Sequence, residues 1–168
     1  MNKLSRKHYT DKASVNLWMQ FLAQEKNYLT YFKLNTLPGP FLVSWMSPWQ
    51  VKLLKNAQEW CLDSTHKTCT SFNNNNDDAY LFTIVVRSDI TNKGVPVCFF
   101  ITDAEKQTVL VEWLKWIITV VGDLSVKKIM IDCSATEISA LKEVFQNNVS
   151  ILLCHWHIKR AWEKKNQN

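Results

Sequence analysis

From Glu59 to Leu153 the apolar residues change their period in a fixed order, and that order restricts the topology more than any other feature of the chain. Three strand-like runs come first: Glu59 to Thr68, Leu81 to Arg87, and Val95 to Thr102. Positions Val109, Leu110, Trp113, Leu114, Ile117, Val120 and Val121 then recur at three and four, the spacing of a helix with one buried face, and Gly122 closes it. A fourth strand (Lys127 to Ile131), a helix with Ile138, Leu141, Val144 and Phe145 inward, and a fifth strand (Val149 to Leu153) complete the series. Thr102-Asp-Ala-Glu105 and Ser134-Ala-Thr-Glu137 have the spacing of capping boxes at the two helix starts, which makes Glu137 a structural residue.

Strands joined by short turns pair antiparallel, whereas strand–helix–strand units form parallel, right-handed crossovers. Pro96 has no amide to give to a ladder, which predicts that strand three lies at an edge. The expected fold is therefore α/β: a mixed five-stranded sheet in the order 3-2-1-4-5, strand three its antiparallel edge, flanked by helices. In this order strands one and four are neighbours. Each carries an aspartate, Asp63 within Trp60-Cys-Leu-Asp-Ser-Thr-His-Lys-Thr68 and Asp132 at the end of Lys127-Lys-Ile-Met-Ile-Asp132. Adjacent strands lie about 4.8 Å apart, so these carboxylates could bracket ions spaced ~3.5–4 Å apart, as in two-metal phosphoryl transfer. Such oxygen ligands suit Mg²⁺ or Mn²⁺. The plainer reading is an acid at a strand end, solvated or paired with Lys67.

Ahead of this core, Val15, Trp18, Met19, Leu22 and Leu29 share a helical stripe over residues 14–33, Leu37-Pro-Gly-Pro40 breaks it, and Phe41 to Trp49 reads as an irregular apolar cover. The expected division is a helical N-terminal extension with covering segment at 1–55, the core at 56–158 and a basic tail at 159–168. Charge follows the same division: 8 basic and 2 acidic residues in 1–55, 8 and 12 in 56–158, and 4 and 1 in 159–168. Basic ends around an acidic centre suit a protein that holds a polyanion by its phosphates, with Lys3, Arg6, Lys7, Lys159, Arg160, Lys164 and Lys165 as the contacts. No apolar run reaches the roughly 20 residues of a membrane span, and the N-terminus lacks a signal-peptide core, so a soluble intracellular protein with no membrane partner is expected. Five dispersed cysteines form no disulfide framework and read as reduced, buried thiols. Trp113, Trp116 and Trp156 have core spacing.

Leu62-Asp-Ser-Thr-His-Lys-Thr68, Gly94-Val-Pro-Val-Cys-Phe-Phe-Ile-Thr102, Met130-Ile-Asp-Cys-Ser-Ala135 and Leu152-Leu-Cys-His-Trp-His-Ile-Lys-Arg-Ala-Trp162, preceded by Ser44-Trp-Met-Ser-Pro-Trp-Gln50, together resemble the transposases of Mutator-like elements (MULE) over about residues 45–163. The resemblance implies an RNase H-like fold and a DDE-type nuclease and strand-transfer activity on transposon ends and target DNA. It also implies a two-metal Mg²⁺ or Mn²⁺ site, a nuclear location and an oligomer in the full-length form. Asp63 and Asp132 match the first and second catalytic acids and metal ligands. Cys154 and His157 match a Cys-x-x-His motif of these proteins, whose plainer reading is a buried cysteine and a histidine hydrogen-bonded across the core. His66 and Lys67, like Lys159 and Arg160, are weaker candidates for DNA contact. The third acid of the family lies after a helical insertion downstream of the Cys-His-Trp-His segment, and this sequence stops at Asn168. The acid set is therefore expected to be incomplete, with Glu163 a poor substitute inside the block that resembles the start of the insertion. Enzyme activity is left open on this reading, and the isolated chain is expected to show little or no strand cleavage. The other readings are a non-catalytic DNA-binding or interaction module, or an inactive remnant, derived from such a transposase.

Overall fold

The computed structural model of the protein describes residues 6–34, 39–71, 73 and 77–165. Among these, seven strands form one mixed sheet: β1 (Leu29–Lys33), β2 (Leu42–Met46), β3 (Glu59–Thr70), β4 (Asp78–Arg87), β5 (Gly94–Thr102), β6 (Lys128–Ile131) and β7 (Ser150–Leu153). Their order is β1-β2-β5-β4-β3-β6-β7. Five helices accompany them: α1 (Asp11–Lys26), α2 (Pro48–Asn56), α3 (Gln107–Val121), α4 (Ala135–Phe145) and α5 (His155–Lys165). The five strands anticipated from periodicity are β3 to β7. Hairpins make β3, β4 and β5 antiparallel, and the α3 and α4 crossovers make β3, β6 and β7 parallel.

The sheet is larger than the expected five strands, and β5 is not its edge. β2 pairs with β5 from Leu42↔Thr102 to Trp45↔Phe99 and stops before Pro96. On the other side, the β4 register shifts between Ile84 and Val85, so that Pro96 sits at a bulge. A proline is thus tolerated in an interior strand because its own stretch has no partner on one side. Its carbonyl accepts a hydrogen bond from Gln50 Nε2 at 3.0 Å, while Gln50 Oε1 accepts from the amide and the hydroxyl of Ser47, each at 2.8 Å. The start of α2 is latched onto the sheet at the place where β2 leaves it.

The segment before residue 56 is not a helix followed by an irregular cover. α1 ends at Asn27, a left-handed residue with φ of 54°, so Leu29 belongs to β1 and not to the helical stripe. Phe41 to Trp49 contains β2 and the first residues of α2. Residues 37 and 38 of the proline-rich breaker, Asn74 to Asn76 of the asparagine run, and Lys3 lie outside the described residues.

Two cores sandwich the sheet. Leu42, Phe82, Phe100, Ile129 and Ile131 pack against Trp113, Leu114, Ile117 and Leu141 of α3 and α4. On the opposite face, Val43, Phe41 and Ala79 pack against Met19 of α1, with Trp45 and Ile101 at the margin. α3 starts one turn later than the sequence suggests: Lys106 is its N-cap, and the Thr102 hydroxyl accepts from the Ala104 amide at 3.3 Å in a local turn instead of capping. Trp113 is buried and Trp116 packs on the core, but Trp156 is 56% exposed. All five cysteines are free, as expected; only Cys98 is buried, however, and Cys69 and Cys133 are exposed. Among the described residues no helix is long and apolar enough to cross a membrane.

Candidate active site

The parallel ladder between β3 and β6 has three rungs, Glu59↔Lys128, Trp60↔Ile129 and Cys61↔Met130. Two residues beyond the last rung on each chain stand Asp63 and Asp132, at equivalent positions on neighbouring strands. Cys61 and Met130 line a cleft of about 340 Å³; the two-residue period of β3 sets Asp63 on the face of Cys61, and Asp132 follows the last residue of β6. Asp63 is held on its other side by the β4 ladder opposite Thr83. Its side chain is exposed and, among the described residues, makes no hydrogen bond or ion pair; Lys67, its expected partner, pairs with Asp78 at 3.4 Å. Asp132 is half-buried, and its Oδ1 accepts from the Ser134 amide at 2.9 Å.

That bond decides the fate of Glu137. In a full capping box the Glu137 carboxylate would accept from the amide of the N-cap Ser134. Half of the box forms, since the Ser134 hydroxyl accepts from the Glu137 amide at 3.3 Å. The other half is pre-empted because Asp132 already holds the Ser134 amide. Glu137 is consequently left with 0% exposure and no well-formed hydrogen bond to either carboxylate oxygen, the Ser64 hydroxyl being the one donor close enough to act on it. The hydroxyl of Ser64, the residue after Asp63, is also buried and unpartnered. Burial first, and then the charge of Asp132, push the Glu137 carboxyl up to about 8, with Glu105 and Asp63 adding to the rise and only Ser64 opposing it. The same surroundings raise the Cys61 thiol, through burial and then through Asp63, Cys154 and Glu137. Sequence reasoning assigned Glu137 to a cap. The signal against that assignment is the aspartate two residues before the capping serine, whose own turn competes for the same amide.

Asp63 and Asp132 carry oxygen donors of the kind that hard cations take. As they stand, no three His, Cys, Asp or Glu side chains among the described residues converge closely enough to hold a metal ion.

With this geometry in view, a profile of the MULE transposase domain matches residues 59–161, more than half of the chain. The chain belongs to the MULE transposase domain family. The matched region starts at the first residue of β3 and runs into α5, so the MULE domain contains Asp63, Asp132 and Glu137. Among proteins of curated function, none matches the chain significantly.

The remaining candidates in the MULE domain are dispersed. Cys154 follows β7, with its amide bonded to the Ile131 carbonyl at 2.7 Å. His157 lies in the first turn of α5; its Nδ1 is buried without a partner, contrary to the expected bond across the core, and its ring meets Trp156 edge-on at 4.7 Å. His66 and Lys67 occupy a bulge of β3: Thr65 pairs with Leu81 and Cys69 with Ala79, so the intervening residues stand opposite Tyr80 alone. Lys67 has a φ of 58° there, and the His66 ring packs edge-on against Tyr80 at 5.1 Å. Lys159 and Arg160 are on α5, the first paired with Glu163 at 3.8 Å and the second 5.0 Å above the Trp156 ring. Glu163 is thus a surface ion-pair partner on a helix, away from the two aspartates along the chain.

Proposed function

We propose that this chain is the RNase H-like catalytic portion of a DDE-type DNA transposase, in which Asp63 and Asp132 hold divalent cations during phosphodiester hydrolysis and strand transfer. The placement of Asp63 on β3 and of Asp132 just past the end of the adjacent parallel strand β6, each two residues beyond the last shared rung and within the region that matches the family, carries the reading. The run β5-β4-β3-β6-β7 supports it, because it matches the strand order expected of this fold. When bound, Mg²⁺ or Mn²⁺ would activate the attacking oxygen and stabilise the leaving one.

The chain's own residues supply orientation. β4 keeps Asp63 at the mouth of the sheet, where its free carboxylate stays open to solvent and ligand. The Ser134 amide fixes one oxygen of Asp132 and leaves the other available. The partner is DNA and the site of action the nucleus. Exposed cations on α5, Lys159 and Arg160, would meet phosphates, with Trp156 beneath the guanidinium. The same helix supports a second reading, a DNA-binding module that performs no chemistry.

Binding separates the two. On the first reading Mn²⁺ binds the purified chain, Asp63→Asn or Asp132→Asn weakens it at least tenfold, and Mn²⁺ tightens the association with a DNA duplex. DNA binding that is lost on Lys159→Ala and Arg160→Ala, and is indifferent to both aspartates and to Mn²⁺, would establish the second.

A further inference from the structure

Trp60 and Leu62 of β3 pack into the core with α3 and α4, so Glu59, Cys61 and Asp63 share the opposite face of the sheet. The strand registers extend that face sideways in rows. Cys61 is level with Met130 on β6 and with Val85 on β4, and Met130 is level with Leu152 on β7. Glu59 is level with Lys128, and Arg87 of β4 follows the rung Trp60↔Val86 into the same row. One face thus presents a charged row, an apolar row and then Asp63, with about 6.6 Å from each row to the next. The first two rows enclose the cleft of about 340 Å³, and Asn92 and Gly94 at the β4–β5 turn wall one side of it.

Two features of this cleft call for a ligand. Met130 and Leu152 lie side by side on the sheet face yet stay 37% and 46% exposed, an apolar patch of the kind that marks a binding surface. Arg87 donates to Asn92 Oδ1 at 2.6 Å but has no ion pair among the described residues, while its neighbour Glu59 is already joined to Lys128 at 2.8 Å. The charged row therefore keeps one positive charge in excess. A single nucleic-acid strand, in which phosphates alternate with less polar sugars and bases, complements both rows; a double helix is too wide for a cleft of this volume. We infer that the cleft holds the DNA strand next to the scissile phosphate, its sugar and base over Cys61, Met130 and Leu152, a phosphate on Arg87 beside Lys128, and the strand continuing along β3 to Asp63. This rests on the reading of Asp63 and Asp132 as cation ligands and adds the substrate position that adjoins them. Phosphate and apolar contacts carry no base code, so the cleft binds without regard to sequence.

The test uses the full chain and fluorescein-labelled oligothymidylate, with affinity read by anisotropy across a salt series and Mn²⁺ affinity measured by calorimetry on the same preparations. Arg87→Ala is expected to weaken oligonucleotide binding at least fivefold and to reduce the slope of log affinity against log salt by about 0.7, the value for one phosphate contact on a single strand. Leu152→Asp, which sets a negative charge on the apolar floor, is expected to weaken it by at least as much. A readout that needs no variant is alkylation by N-ethylmaleimide: bound oligonucleotide is expected to slow the reaction of the half-buried Cys61 at least fivefold and to leave Cys69, near the far end of β3, unchanged. No binding of the oligonucleotide, an unaltered slope in Arg87→Ala, or a Cys61 that reacts equally fast with and without oligonucleotide overturns the inference; loss of Mn²⁺ binding in Asp63→Asn and Asp132→Asn then shows that the parent reading stands. Mn²⁺ binding indifferent to both aspartates overturns the parent reading and, with it, the place of the cleft beside a scissile phosphate. Protection of Cys61 that appears without DNA and fades on dilution assigns the cleft to a second copy of this chain and overturns the inference as well.

Discussion

Ser44 and Glu137 are both polar side chains with 0% exposure, at opposite ends of one sheet, and the structure treats them in opposite ways. Ser44 is saturated. Its hydroxyl accepts from Trp113 Nε1 at 3.0 Å, donates to the Phe99 carbonyl at 2.7 Å, and lies 3.7 Å from the Cys98 sulfur. Around it, the Trp113 ring stacks on Phe100 at 4.8 Å, and Tyr31 and Lys33 both donate to Glu112 to fasten β1 to α3. Glu137 has no well-formed hydrogen bond and three acidic neighbours, Asp132, Glu105 and Asp63, with only the Ser64 hydroxyl to offset them. A buried polar group that is fully bonded serves the fold; one whose burial and acidic neighbours disfavour its charge costs the fold stability once its proton must leave.

The comparison breaks first at Trp113. Trp113→Ala is expected to lower unfolding free energy by about 3–5 kcal/mol through the cavity and the lost stacking, read from urea denaturation. If the loss is no larger than for an exposed tryptophan such as Trp162, the α3 side of the sheet is not the stable end.

Next comes pH. Glu137 holds its proton in the folded chain up to about 8, whereas an ordinary glutamate releases it near 4.5. Its contribution is therefore fully present below 4.5 and is lost as pH rises through about 8. The expected decline across that window is on the order of 3–5 kcal/mol. Glu137→Gln should remove most of the decline and be the more stable protein at pH 8; melting curves of both from pH 5 to 8.5 decide. Equal slopes would mean that the carboxyl is not strained.

Ser44→Ala orphans the Trp113 indole N–H and is expected to cost about 1–3 kcal/mol at every pH in that range. A pH-dependent cost would blur the distinction between the two ends. Lys159→Ala sets the floor: it removes an exposed (i, i+4) pair with Glu163 and should change stability by less than about 0.5 kcal/mol.

The β3–β6 half of the fold was legible because its strands alternate and its crossovers obey handedness: Trp60 and Leu62 are buried while Glu59 and Asp63 are exposed, and the helices between β5, β6 and β7 force parallel neighbours. β2 was not legible. α1 covers one of its faces and α3 the other, so Leu42, Val43, Ser44 and Met46 are all buried and no alternation remains to read. Pro96 misled for a related reason, since a proline reports only the bonds at its own position and β2 ends before reaching it. At the site, the sequence set Asp63 and Asp132 on two neighbouring strands, and β3 and β6 do pair, with Asp63 inside β3 and Asp132 just past the end of β6; the spacing of Ser134 and Glu137, however, suggested a cap that Asp132 forestalls. Competition for a single amide shows only when the capping spacing is read together with the aspartate two residues before it.

The short ladder between β3 and β6 has a mechanical consequence. Above Cys61 and Met130 the two strands are no longer laced together, so Asp63 is braced by β4, while Asp132 follows an Ile131 held by β7 and is itself tied to the start of α4. A small tilt of that helix would change the separation of the two carboxylates while leaving the three rungs between β3 and β6 intact.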